Sequence, residues 1–304
     1  MLAVDFGGTK IGVATAALDG GIHRSDRIDT LADRGAHQAV ERGIAAARAL
    51  LEQTPGRCVA AGVVSPGIVL DDRVLLAPNV PGWGDLALPA LLTEGLDVPH
   101  VVVGNDVKAA ARAEARSGAL RGADPGILLS LGTGIAAAVV IGGQVLDGAH
   151  GAAGEIGYSL RGARDRQGAA DGRAPLEEIA GGRAIGERAS ALLGEPVAAA
   201  DAFAHPDARV RAVVAEGLDA LAVQATNLAI AIDPVRIAVG GGLMASSGAI
   251  LAALGPRLAK AVPFPPELVP AHFVHDGALR GAVALAADAV ATRSTYSPSQ
   301  EEAR

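Results

Sequence analysis

Two distant stretches of this chain are built to the same plan. Val4-Asp5-Phe6-Gly7-Gly8-Thr9 and Leu129-Ser130-Leu131-Gly132-Thr133-Gly134 each run from an apolar strand into a glycine–threonine turn. Each turn leads into a second strand, over residues 11–16 in the first case and 135–141 in the second. A supersecondary unit repeated in this way predicts a duplicated α/β domain. In an ordinary hairpin such glycines only satisfy turn geometry. In a phosphate loop the missing Cβ opens backbone N–H groups near Gly7 and Gly8 to anionic oxygens, and Thr9 adds a hydroxyl donor. Asp5, at the strand end, is placed to hold a hydrated Mg²⁺. Two such turns can clamp one nucleotide between two lobes.

A second feature sits between the repeats. Val101-Val102-Val103-Gly104-Asn105-Asp106-Val107-Lys108 reads as a buried β-branched strand that stops at a glycine and presents two polar side chains before an alanine-rich helix over 107–117. Open α/β sheets place their chemistry at the carboxyl ends of strands. The plainer alternative is that Asp106 caps the helix, as Asp and Asn commonly do.

The remaining elements follow from pattern. Ala36, Val40, Ile44, Ala47, Leu50 and Leu51 predict an amphipathic helix over 36–53, and strands are expected over 58–64 and 74–77. The segment Ala77–Trp83, stiffened by prolines and carrying the single tryptophan, is either a surface loop with a packed Trp83 or a substrate-lining loop. Residues 142–158 are rich in glycine, 161–175 read as a loop, and a helix opens at Leu176-Glu177-Glu178-Ile179 and runs to Leu193. There Glu178 complements the helix dipole. A long helix over 208–232 ends at Asp233-Pro234, a buried strand spans Val235–Val239, and Gly240-Gly241-Gly242 precedes a helix from about Ser247. Three glycines at a strand-to-helix junction let a flat ligand lie on the backbone, with phosphate favoured at the helix N-terminus. A last helix is expected over 278–292, and a polar, disordered tail over 294–304.

Composition narrows the class. The chain has 304 residues, enough for two domains, and is 50% hydrophobic with only 2% aromatics, so its core must be built from small aliphatic side chains. A net charge of −7 argues against a nucleic-acid partner. Cys58 is alone, which excludes an internal disulfide and a multi-cysteine zinc site. No signal-peptide pattern precedes the first strand, and contiguous apolar runs such as Ile135–Ile141 are too short to span a bilayer. The expectation is a soluble, cytoplasmic protein without membrane contact.

Asp5-Phe6-Gly7-Gly8-Thr9-Lys10, Asn105-Asp106, Leu131-Gly132-Thr133-Gly134, Gly154-Glu155-Ile156-Gly157 and Gly240-Gly241-Gly242 together resemble the ROK-family sugar kinases, in order and spacing, over nearly the whole chain. The resemblance implies an α/β fold of the two-lobed, actin-like (ribonuclease-H-like) kind, with ATP and Mg²⁺ in a cleft and a sugar beside them. It implies lobes at 1–107 and 108–277, with the last helix packing back on the first lobe, and a homodimer. Asp106 becomes the general base. Gly67, Asn79, Asn105, Glu155 and Glu177 become sugar contacts. Gly7, Gly8, Thr9, Lys10, Thr133 and Gly134 line the phosphates, with Gly241 near the adenosine.

The departures are informative. Many family members carry zinc on a histidine just after the Gly-Glu-x-Gly stretch and on three cysteines. Here Tyr158 stands at the histidine's place and residues 161–175 hold no cysteine, so no zinc site is expected and the loop is expected to be mobile. That histidine also touches the sugar near its anomeric end, so Tyr158 reshapes the corner where acceptors differ. The repressor branch of the family has an N-terminal helix-turn-helix domain, for which the segment before Asp5 leaves no room. Two readings follow: an ATP-dependent, glucokinase-like kinase acting on a hexose, amino sugar or C7-cyclitol, or a non-catalytic sugar sensor of kinase ancestry.

Overall fold

The computed structural model describes residues 1–77 and 81–294, the side chains of 293 and 294 excepted. It divides into two compact units. One is built from Met1–Ala113 with the segment that begins at Asp276, the other from Glu114–His275.

The first unit contains β1 (Leu2–Phe6), β2 (Lys10–Ala16), β3 (Ile22–Asp29), α1 (Ala36–Glu52), β4 (Ala61–Ser65), a small hairpin of β5 (Ile68–Val69) and β6 (Val74–Leu75), α2 (Leu88–Leu96), β7 (Val101–Asn105) and the start of α3 (Asp106–Ser117). Its main sheet has the order β3-β2-β1-β4-β7. β1 is antiparallel to β2 and parallel to β4, and β4 is parallel to β7. β1 and β4 are buried almost throughout, as continuous apolar runs in parallel strands must be. α1 turns Ala36, Val40, Ala47 and Leu50 onto the sheet. There Phe6 meets Trp83 with ring centroids 5.5 Å apart. Burying side chains of this size contributes about 1.5–3 kcal/mol each.

The second unit repeats the plan. It holds β8 (Gly126–Leu131), β9 (Ile135–Ile141), β10 (Gln144–Val145), α4 (Glu177–Ala180), α5 (Gly182–Leu193), α6 (Ala199–Phe203), α7 (Ala208–Ile232), β11 (Arg236–Gly240), α8 (Ser247–Ala261) and β12 (Glu267–Pro270). The sheet order β10-β9-β8-β11-β12 reproduces that of the first unit strand for strand. The antiparallel pairs are again the first two and the parallel pairs the last two. The final helix, α9 (Gly277–Ser294), lays Leu279, Ala282, Val283 and Ala286 against Ala3, Ala14, Ala60 and Val64 of the first unit. The small side chains of this layer explain how an alanine-rich chain packs closely with few aromatics.

Several expectations need correction. The strand expected over 58–64 begins at Ala61, and the one over 74–77 is only Val74–Leu75. The helix expected from Leu176 to Leu193 is two, α4 and α5, broken at Gly181, whose ψ of 146° is extended. β3 escaped notice because its sequence, IHRSDRID, is an exposed and polar edge strand. The boundary between the units falls between Ala113 and Glu114, inside α3. By length and hydropathy Ala208–Ile232 and Gly242–Ala261 could cross a membrane, contrary to the estimate from contiguous runs. Here Leu221, Ala225 and Ala229 of the former and Ile250, Leu254 and Leu258 of the latter belong to the core of the second unit. The expected tail, beyond Ser294, lies outside the described residues.

Candidate functional site

In the first unit the parallel register aligns strand ends. Asp5 pairs with Val64, Val64 with Gly104, and Ser65 with Asn105, so Asp5 and Asp106 emerge at the same edge of the sheet, on either side of the end of β4. Desolvation by burial pushes Asp106 up to about 7, the Asp5 carboxylate adds to the rise, and a hydrogen bond from the Val107 N–H opposes it. Burial likewise lifts Asp5 to about 6, offset in part by Arg27. Both groups keep some accessible surface yet are crowded enough for burial to dominate.

The division of labour at this strand end differs from the simple capping alternative. Asn105 does the capping: its Oδ1 accepts from the Lys108 N–H at 2.9 Å. Its Nδ2 donates to Gly67 O at 3.0 Å, tying the turn after β4 to the start of α3. Asn105 is therefore partly engaged within the protein, which leaves its second amide hydrogen and one Oδ1 lone pair for a sugar contact. Among the described residues, the Asp106 carboxylate accepts from backbone amides alone, that of Val107 at 2.8 Å and its own. Ser65 Oγ accepts from Trp83 Nε1 at 2.8 Å, and Trp83 is buried, so this residue is packed into the core. Asn79 lies outside the described residues.

The first turn is more self-contained than expected. The Gly7 N–H donates to Lys10 O at 2.9 Å, and Thr30 Oγ1 donates to Gly7 O at 2.7 Å. The Gly7 amide is thus committed to closing the turn, which leaves Gly8 and Thr9 as the candidate donors of this loop. Lys10 Nζ forms an ion pair with Asp29, its cross-strand partner. Both side chains of this pair are exposed.

In the second unit, Gly132 N–H donates to Gly134 O and Ile135 N–H to Glu177 Oε2, both close to 3 Å. Glu177 lies directly beneath the turn: a Cβ on Gly134 would stand 2.3 Å from its Oε2. One of its oxygens braces the turn and only the other remains for a ligand. Gly241 has φ of +95°, and a Cβ there would lie 2.4 Å from Leu131 O, so the glycine-rich junction packs flat on the end of β8. Gly242 and Leu243, which follow Gly241, line the space beyond. That space is a cavity of about 1030 Å³ lined by Gly132, Thr133, Arg183, Glu187, Gly242 and Leu243, among others. The Gly154–Tyr158 segment returns to the same sheet, with Ala137 N–H donating to Gly154 O at 2.7 Å. Tyr158 has its pKa raised by burial, then by the carboxylates of Glu177 and Glu155.

A model of the ROK family matches residues 1–289. The chain belongs to the ROK family. An N-acetylmannosamine kinase from Escherichia fergusonii is 31% identical over 94% of this chain and 97% of its own length. Among solved structures, a ROK hexokinase from Thermus thermophilus superposes with a TM-score of 0.77 at 29% identity, covering 96% of this chain and 99% of that one. A ROK glucokinase from Streptomyces griseus, solved with glucose and AMPPNP, gives a TM-score of 0.76 at 28% identity over 95% and 99%. The fold of this ROK protein is the actin-like, ribonuclease-H-like one.

Within the ROK frame the segment 161–175 has ties of its own. Arg161 binds Asp165 through backbone and side chain, Arg173 binds Glu178 with two nitrogens, and Asp171 Oδ2 accepts from Gly168 N–H. Among the described residues no three His, Cys, Asp or Glu side chains are grouped to hold a metal ion. Incubation with a strong zinc chelator is expected to leave the melting temperature unchanged, and elemental analysis to find no stoichiometric zinc; a large drop on chelation would contradict this. Sequence reasoning missed the cavity wall made by α5 and α6. Its signal was present as the small residues Gly182, Gly186 and Ser190, spaced by four along one helix face.

Proposed function

We propose that this ROK protein is an ATP-dependent kinase that phosphorylates a hydroxyl of a hexose or a sugar-like cyclitol, with Asp106 as general base. The observation that carries the reading is the Asp106 carboxyl. It is at a strand end, relieved of capping by Asn105, and poised near neutrality at about 7. A base with a pKa near the working pH combines availability with driving force. Asp106 accepts the proton of the acceptor hydroxyl as that oxygen attacks the γ-phosphorus; the bond to the bridging oxygen breaks and ADP leaves. The amides of Gly8 and Thr9, and those of Thr133 and Gly134, are the backbone donors for phosphate oxygens. Burial raises both Asp5 and Asp106, and the Asp5 charge adds to the rise at Asp106; two desolvated carboxylates close together are a setting that fits Mg²⁺. Asp5 would hold that ion, directly or through water, and the ion would supply charge neutralisation on the phosphates.

On the acceptor side we assign Gly67, Asn79, Asn105, Glu155, Tyr158 and Glu177. Tyr158 keeps its proton, since burial and two carboxylates oppose ionisation, so it offers a donor to the sugar. Tyr158→His is expected to shift relative kcat/KM among acceptors by about 1–3 kcal/mol, the worth of one hydrogen bond in a pocket. Rates measured on a sugar panel check this, and an unaltered ranking would remove Tyr158 from the pocket.

The decisive experiment is ADP release coupled to a detectable reaction, across glucose, N-acetylmannosamine, other hexoses and cyclitols. ATP turnover dependent on one of them is expected. Tight sugar binding without ADP release would instead support a sensor.

A further inference from the structure

The cavity in the second unit is lined by a single basic residue, Arg183, together with the acidic Glu187 and Asp201. We propose that Arg183 binds the phosphate chain of the nucleoside triphosphate, as the cationic anchor of the second unit. This inference rests on the kinase reading above.

Placement comes first. α5 starts directly against the glycine–threonine turn: Gly182 N–H donates to Gly132 O at 2.9 Å and Arg183 N–H to Thr133 O at 3.1 Å. A helix N-terminus ordinarily offers its first amides to an anion. Here the first two are committed to the turn's carbonyls. What the backbone cannot give, a side chain at that position can.

Direction comes second. Gly182, Arg183, Gly186, Glu187 and Ser190 all line the cavity, while Ile185 and Ala189 are buried on another side of α5. Arg183 thus lies on the cavity-facing side of the helix. Side chains in an α-helix lean back towards its N-terminus, which for Arg183 means towards Gly132 and Thr133.

Charge comes third. Arg183 is exposed, and among the described residues it has no ion-pair partner, whereas Arg188 on the same helix is held by Glu216 and by Ile179 O. Lys10, the basic residue of the other glycine–threonine turn, is paired with Asp29. Without Arg183 the cavity lining would carry only Glu187 and Asp201 as charges, a wall that repels a triphosphate. A guanidinium meets phosphate oxygens with two parallel N–H donors, which suits this role better than a point charge.

The test is binding of ATP, ADP and adenosine, measured by calorimetry on the full chain and on the Arg183→Gln and Arg183→Lys variants. Arg183→Gln should weaken ATP and ADP about ten- to a hundredfold and leave adenosine within about twofold, as loss of a charge-assisted phosphate contact requires. Arg183→Lys should recover part of the loss. Equal weakening of all three ligands, or no weakening of any, would overturn the proposal, because a packing or base-stacking role does not follow the phosphate chain. If the unaltered protein bound adenosine and ATP equally well, Arg183 would likewise have no phosphate to hold. If it bound neither, the kinase reading would fall along with this one.

Discussion

Asp106→Asn is expected to lower turnover by about two to four decades, the usual contribution of a general base, while making the ligand-free protein more stable. The two effects have one source. Asp106 is raised from 3.8 to about 7 by burial and by the Asp5 carboxylate. Between those values the folded protein binds a proton that the unfolded chain has released. Stability therefore falls as pH rises through that window, and above it the folded state carries the full penalty of a desolvated charge. Asparagine cannot ionise, yet its carbonyl can still accept from the Val107 N–H. The gain should be on the order of 1–3 kcal/mol at pH 8, seen as a higher melting temperature, and it should vanish near pH 4. Acceptor binding should change little, since the amide still reaches the hydroxyl. Near-normal turnover in the variant would show that another group is the base. A melting temperature that does not rise at pH 8 would show that Asp106 is less desolvated than its surroundings indicate.

On the proposed mechanism the same carboxylate should set the acid limb of the activity profile. With the base ionising near 7, kcat/KM in the absence of saturating ligands should climb with pH up to about 7 and then level. Asp5→Asn removes the like charge beside it and should move that limb to lower pH.

How much of this was readable in the sequence depends on what kind of signal each feature left. The duplication was legible because a strand, a glycine–threonine turn and a second strand impose the same pattern wherever they occur, and both sheets then follow from one topology. Long helices such as α7 declared themselves through spacing. The edge strand β3 did not, because an exposed strand has no apolar face to alternate. The break at Gly181 was hidden because one glycine inside a helical pattern is tolerated as often as it terminates. At the candidate site, the residue types were legible and their internal hydrogen bonds were not. Asn105, Gly7, Lys10 and Glu177 were all singled out as ligand contacts. In the structure Asn105 is capping α3, the Gly7 amide is closing its turn, Lys10 is paired with Asp29 and Glu177 is bracing the second turn. Each of these is a hydrogen bond across residues far apart in sequence, or a choice between partners that residue type alone does not make. Arg183 was missed for the converse reason: nothing in the sequence marks an arginine as lacking a partner.

Gly154→Ala is the other substitution with a large expected effect. Gly154 has φ of +90°, and a Cβ placed on it would lie 1.9 Å from Ala137 O and 2.8 Å from the carbon of that carbonyl. No rotation relieves such a clash, because both atoms are backbone. The Ala137 N–H donates to Gly154 O at 2.7 Å, so the two segments are pinned at the point of collision. Alanine must break that bond and push the Glu155–Tyr158 turn off β9. The backbone strain alone is about 1–2 kcal/mol, and losing the pinned contact brings the total to roughly 3 kcal/mol or more. Gly172 is the natural control: its φ is +70°, but nothing lies within 4 Å of a Cβ there, so Gly172→Ala should show only the strain. If Gly154→Ala folds, the displaced turn carries Glu155 and Tyr158 with it. The acceptor KM should then rise by an order of magnitude or more while nucleotide binding, which we assign to the Gly132–Gly134 turn and α5, stays near normal. Equal melting temperatures for the two variants would show that β9 yields to the methyl group. An unchanged acceptor KM in a destabilised Gly154→Ala protein would separate this turn from the acceptor pocket, and the assignment of Glu155 and Tyr158 would have to be withdrawn.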